Sequence, residues 1–157
     1  MACFQMDKNE KRELKSETDF DAMALSCKRD ANEYCDLVMC SIKICFSACC
    51  NALTVNAAFA CELYIKALII YHDKKSVKGH NLTDLFNEMD EEIQNKVKEK
   101  FPYGNIAKSD FDLNLCEVSK AFEVSRYGYE YKEMACNMLF ILELMGTLAE
   151  ICNYVIK

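Results

Sequence analysis

The chain has 157 residues, enough for one domain with a proper hydrophobic core. Four glycines and one proline are too few for a turn-rich β architecture. The net charge of −6 argues against general coating of DNA or RNA, which requires a basic surface that displaces counterions.

Apolar residues recur at helical spacing along most of the chain, which predicts an all-α protein, an antiparallel bundle of about five helices. Residues 1–18 are polar and are expected to precede a single domain at 19–157. A helix from 19 to 72 would be about 80 Å long, so the chain must turn within 47–56. The predicted helices are 20–48, 54–71, 82–100, 110–126 and 133–155.

Asparagines mark two of the predicted helix starts. Asn51 or Asn56 is the predicted N-cap of the second helix, and Asn81 that of the third. Pro102 and Gly104 follow the third helix and end it.

The eleven cysteines lie mostly within apolar helical runs. There is no CxxC pair, and His72 and His80 are outside the main cysteine cluster, so neither a metal site nor a cofactor is predicted. Free cysteines behave as small buried hydrophobes, and so many thiols require a reducing compartment. The N-terminus lacks the apolar core of a secretory signal, so a cytoplasmic location is expected.

The second predicted helix is apolar on nearly every side. Residues 52–71 are long enough to span a bilayer, but Asn56, Glu62 and Lys66 interrupt them, which favours a buried bundle helix over a membrane span. Glu62 and Lys66 are four residues apart in the order that favours an intrahelical ion pair. They form either that simple pair or part of a polar site.

Arg126 and His80 are the sharpest candidates for chemistry. Arg126 follows the apolar ridge of the fourth helix, so its guanidinium needs an acceptor, either Glu130, Glu62 or a bound phosphate. His80 precedes an inferred helix N-terminus in a basic turn, where it serves either as a capping and packing residue or as an anion-binding group. No glycine-rich phosphate loop, GxSxG or HExxH motif occurs.

Three segments resemble the HEPN superfamily, named for higher eukaryotes and prokaryotes nucleotide-binding. They are "NAAFACELYIKAL", "GHNLTDLF" and "RYGYEY" followed by an amphipathic helix, and the similarity covers 19–157. The resemblance implies a helical bundle that often forms homodimers, with a polar groove near the dimer interface. Many members are ribonucleases or partners of nucleotidyltransferases in toxin–antitoxin and antiviral systems.

The ribonuclease members of the superfamily carry an arginine followed four to six residues later by a histidine. Arg126 fits the arginine position, but positions 131–133 are Tyr, Lys and Glu. Three hypotheses follow: binding of a nucleotide or RNA, a non-enzymatic interaction module whose polar network is structural, and a metal-independent ribonuclease in which His80 is the acid–base group. The expected partners are a second copy, a nucleotide or RNA, and a further protein, with neither a membrane nor DNA coating. The catalytic candidates are His80 and Arg126, and the binding candidates are Asn56, Glu62, Lys66, His80, Arg126, Tyr127 and Glu130.

Overall fold

The computed structural model describes residues 16–45, 50–104, 106–125 and 138–157. No strand occurs in these four ranges, and the all-α prediction is confirmed. A 3-10 turn at Lys108–Asp110 precedes the fifth helix. The helices are α1 (Glu17–Cys45), α2 (Cys50–Asp73), α3 (Leu82–Glu88), α4 (Glu91–Lys100), α5 (Phe111–Ser125) and α6 (Met138–Val155).

Helix α1 begins three residues before the predicted start at 20, because Ser16 and Asp19 form a reciprocal cap. The Ser16 backbone N–H donates to Asp19 Oδ2 at 2.7 Å, and the Asp19 N–H donates to Ser16 Oγ at 3.3 Å. This arrangement is a capping box with Asp in place of the usual Glu or Gln. It satisfies backbone donors that the first helical turn leaves without partners.

The N-caps predicted for the second helix are wrong. Both Asn51 and Asn56 lie inside α2, which already includes Cys50. The Asn56 side chain donates from Nδ2 to the Ala52 carbonyl oxygen at 2.7 Å, a contact one turn back along the same helix. A short polar side chain bonds to nearby backbone either at a cap or within a helix, so residue type alone did not distinguish the two.

The predicted third helix, 82–100, is two helices. Met89 leaves the helical conformation at φ −65° and ψ 154°, and the Asp90 side chain accepts from the Glu92 N–H at 2.9 Å as the N-cap of α4. The apolar residues continue in phase through this break, which is why periodicity alone did not reveal it. Asn81 is the N-cap of α3, as predicted, and accepts from the Asp84 N–H at 3.1 Å.

Helix α2 lies at the centre of the fold and packs against α1, α3, α5 and α6. It runs antiparallel to α1, since Lys74 at its C-terminal end pairs with Asp21, and the rings of Phe59 and Tyr34 meet edge to face at 4.8 Å. A second part of the core is an aromatic cluster with ring centroids 5.1 to 5.5 Å apart. Its members are Phe86, Phe101, Phe111 and Phe140.

Helices α2 and α6 are each long and apolar enough to cross a membrane by length and composition. Inside the protein, 72% of the apolar stretch of α2 and 44% of that of α6 are buried. Core helices of soluble proteins meet the same criterion, so these two helices are weak evidence for a membrane location.

Six cysteines of the described ranges are free, and they vary in exposure. Cys61 and Cys152 are buried, Cys27, Cys35 and Cys116 are half-buried, and Cys40 is exposed. The expectation of mostly buried thiols therefore fits the described positions only in part.

Candidate functional site

Three of the predicted residues meet at one carboxylate. Glu62, on α2, is 1% exposed, and its Oε1 lies 2.8 Å from Lys66 Nζ one turn further along the helix. The same Oε1 lies 2.9 Å from Nδ1 of His80, in the turn that follows α2. Because an ionised carboxylate only accepts hydrogen bonds, both nitrogens are donors. We call Glu62, Lys66 and His80 the Glu62 cluster.

The second oxygen of Glu62 is different. Oε2 is buried and has no hydrogen-bond partner among the residues that the structure describes. Buried polar side-chain atoms in native proteins nearly always have a partner. The cluster thus contains one buried acceptor without a partner in the described part of the chain.

Two features of the 74–83 segment place His80 over Glu62. Gly79 has φ +95°, a left-handed conformation that strains residues with a Cβ and lets the chain reverse before His80. Just beyond the Asn81 cap, the Thr83 N–H donates to Ser119 Oγ at 2.9 Å, and the two hydroxyls are also 2.9 Å apart. Ser119 itself donates to the Leu115 carbonyl at 2.8 Å, so this segment is fastened to α5.

The exposed side of the cluster is positively charged. Lys66 is 14% exposed and its charge is offset by Glu62, whereas the His80 side chain is 63% exposed. In the adjoining turn, Lys74 pairs with Asp21, and Lys75 pairs with Asp73 and Glu88. Lys78 is exposed and makes no ion pair with any residue of the described ranges. Lys78 is therefore a cation left for an incoming anion, beside the exposed imidazole of His80.

Helix α1 borders the cluster at Cys27. The pKa of this thiol is raised, first by burial and then by the negative charge of Asp30, while Lys66 lowers it and Glu62 raises it. These charge effects place Cys27 near the ion pair as a neutral thiol, since a thiol with a raised pKa is a poor nucleophile. Within the described ranges, no group of three or more His, Cys, Asp or Glu side chains is arranged to hold a metal ion.

The other predicted binding residues are not in the cluster. Asn56 lies in a separate groove of about 220 Å³ between α1 and α2. The residues that line this groove are Leu37, Val38, Ser41, Ala52, Leu53 and Asn56. Arg126, Tyr127 and Glu130 lie outside the described residues, so their roles stay predictions.

Thr83 and Ser119 are two residues of this region that sequence reasoning missed. Their contact joins positions 36 apart in the chain, and neither belongs to a motif with a known chemical role. The one available signal was the position of Ser119, a polar residue next to Val118 on the apolar ridge of α5. A hydroxyl at such a position is buried and needs hydrogen-bond partners.

The fold and the cluster define an all-α domain with a buried carboxylate under a basic, solvent-facing turn. A family model described as HEPN domain matches residues 46–155, more than half of the chain. The chain belongs to the HEPN family, whose members are generally related to nucleotides or RNA. Comparison with curated proteins and with solved structures finds no significant match.

Proposed function

We propose that this HEPN domain binds a nucleotide or an RNA segment at the Glu62 cluster. In this proposal His80 and Lys78 contact the phosphate, and Lys66 holds the Glu62 carboxylate in place through their 2.8 Å ion pair. Arg126, which the sequence places directly after the last residue of α5, is the further phosphate-binding residue that the family resemblance predicts.

The observation that carries the proposal is the contact between a buried carboxylate and an exposed imidazole. Lys66 alone offsets the charge of Glu62, so a structural ion pair has no need of a third residue from a turn. His80 nevertheless makes a 2.9 Å bond to the same oxygen while most of its side chain faces solvent. An imidazole fixed on one nitrogen and free on the other is suited to hold a ligand.

The alternative is an interaction module in which the cluster only maintains the register of α2 and the 74–81 turn. In that case the unpartnered Oε2 only destabilises the fold, because a buried acceptor without a partner costs about 1–3 kcal/mol of stability. A ligand donor accounts for this atom under the binding hypothesis, whereas the structural hypothesis requires a partner for it from outside the described residues, such as Arg126.

Substitution of His80 tests the proposal, with His72 as the matched control. His72 is the only other histidine of the chain, and its Nδ1 lies 2.8 Å from Asp73 Oδ1 on the surface. We expect His80→Ala to weaken binding of nucleotides and short RNAs about tenfold or more, because a charge-assisted bond to phosphate contributes about 1.5–3 kcal/mol. His72→Ala should bind as the wild type does. Calorimetric titration of both variants and of Arg126→Ala, with melting temperatures, measures this; equal losses in both histidine variants would contradict the proposal.

A second candidate function is metal-independent cleavage of RNA, which the orientation of His80 favours. With the Nδ1 proton held by Glu62, neutral His80 has an unprotonated Nε2 that can remove a proton from a ribose 2′-hydroxyl. The 2′-oxygen then forms a bond to the adjacent phosphorus and the bond to the 5′-oxygen breaks. The departing 5′-oxygen takes a proton from water, and His80 later releases its own to solvent.

Gel analysis of the RNA recovered from these titrations, with a chelator present, tests this candidate. We expect fragments ending in a 2′,3′-cyclic phosphate from the wild type and from His72→Ala, and a loss of about 10²–10⁴ in rate from His80→Ala. Cleavage that survives His80→Ala would contradict an acid–base role for this residue.

We also propose that the protein forms a homodimer and acts with a further protein in a cytoplasmic toxin–antitoxin or defence system. Apolar side chains on the second half of α1 support the dimer surface, since Ile44 is 83% exposed and Leu37 and Met39 are about half exposed. Exposed apolar side chains on one helix are a common dimer contact.

A further inference from the structure

We infer that Glu62 Oε2 accepts a hydrogen bond from the bound ligand, so that the site selects molecules carrying an O–H or N–H donor beside a phosphate. This inference rests on the proposed function and assigns the chemistry of the ligand. It makes Glu62 a residue that determines specificity, in addition to its contact with His80.

The two oxygens of Glu62 are used unequally. Oε1 accepts from Lys66 at 2.8 Å and from His80 at 2.9 Å, whereas Oε2 is buried without a partner among the described residues. Each carboxylate oxygen has room for about two donors. A ligand donor that reached Oε2 would complete the hydrogen bonding without displacing either protein contact.

The surroundings of the carboxylate determine what else the ligand carries. His80 is the exposed member of the cluster, and Lys78 is exposed in the same turn, so an anion is favoured on the solvent side. A donor for the buried oxygen and an anion for the exposed Lys78 and His80 occur together in a nucleotide. The donor is either a ribose hydroxyl or an N–H of the base, and inorganic pyrophosphate offers the anion without either.

Glu62→Gln changes the acceptor with little change in shape. The amide oxygen can replace Oε1 and still accept from Lys66 and His80, while the amide NH₂ then occupies the position of Oε2. A donor thus stands where the ligand donor has to bind. Glu62→Asp is the second variant, because it keeps the negative charge but withdraws the carboxylate by one CH₂ group.

The test is a titration of the full chain with ribonucleoside diphosphates, their 2′-deoxy counterparts and inorganic pyrophosphate. We expect the wild type to bind at least one ribonucleotide about tenfold more tightly than pyrophosphate, the size of one hydrogen bond to a charged group. Preference for ribo over deoxyribo ligands identifies the 2′-hydroxyl as the donor, and preference among bases identifies a base N–H. The Glu62→Gln variant should bind nucleotides no better than pyrophosphate. If that variant does not fold, Glu62→Asp takes its place, with the same expected result.

His80→Asn is the control for the anion side. It should weaken binding of all these ligands by a similar factor and preserve the preference for nucleotides over pyrophosphate. Equal wild-type affinities for pyrophosphate and all nucleotides, or a preference that persists in both Glu62 variants, would overturn the inference and leave anion binding at the cluster intact. Absence of binding by any of these ligands would overturn the proposed function and this inference together.

Discussion

Glu62 is the one acidic side chain among the buried residues of the described ranges. Removing a carboxylate from water is costly unless its charge is paired and its oxygens are hydrogen-bonded. Lys66 supplies the charge and, with His80, saturates one oxygen. The remaining oxygen is the reason for expecting that the cluster does more than stabilise the fold.

Sequence reasoning reached part of this arrangement. The spacing of Glu62 and Lys66 indicated an ion pair, because residues four apart on a helix are neighbours. It named His80 as a candidate but did not determine its contact, since Glu62 and His80 are 18 positions apart and are joined by the path of the 74–81 turn. Burial of the carboxylate likewise depends on how neighbouring helices cover α2.

At the scale of helices and turns, the two short helices α3 and α4 show where periodicity is insufficient. Apolar residues of 82–100 predicted one continuous face, and the buried residues Leu85, Ile93 and Val97 do point to the core. The break at Met89 and Asp90 changes direction without changing the apolar pattern. Asp can act as an N-cap at many positions of a sequence. Whether Asp90 does so therefore depends on how the surrounding helices pack.

The contact between Thr83 and Ser119 is expected to hold the His80 turn on α5. Ser119→Ala leaves the Thr83 N–H without its acceptor at a site where Ser119 is 1% exposed. We expect a cost of about 1–3 kcal/mol in the free energy of unfolding, together with weaker nucleotide binding. Urea denaturation measures the first effect and titration the second.

Thr83→Val is the matched control for that prediction. It removes the hydroxyl contact but keeps the backbone bond from Thr83 to Ser119. It should therefore cost less than Ser119→Ala, roughly 1 kcal/mol. Equal costs for the two variants would show that the backbone bond contributes little.

At the scale of the whole molecule, α1, α2 and α6 meet around buried groups that resist ionisation. Burial raises the pKa of Cys61 and Cys152, and nearby Cys35, Cys61 and Cys152 contribute to the raised pKa of Tyr64 after burial itself. Cys152 Sγ also donates to the Tyr64 carbonyl at 3.4 Å. These groups are neutral in the folded protein over a wider pH range than in the unfolded chain.

Stability should consequently fall at alkaline pH. An unfolded thiol ionises near pH 8.5, whereas the buried thiols keep their protons, so unfolding releases protons above that value. The contribution of each thiol is fully present below about pH 8 and decreases by up to about 1.4 kcal/mol per pH unit until its folded pKa is reached. Urea denaturation between about pH 8 and 10 measures the slope.

Cys152→Ala should reduce that slope, and Cys40→Ser, at an exposed position, should leave it unchanged. A slope that is the same in all three proteins would mean that the buried thiols do not control alkaline stability.

The fold class itself was predictable from composition and periodicity, because few glycines and long apolar repeats leave helices as the main option.

The central position of α2 has a consequence for how the protein is made. Helix α2 ends at Asp73, and α6, which packs against it, ends at Val155. The ribosome therefore completes α2 well before it completes α6. At about 5–20 residues per second, the face of α2 that α6 later covers stays uncovered for several seconds. During that interval the nascent chain presents a segment as apolar as a membrane span, and we expect chaperones to bind it until α6 has been made.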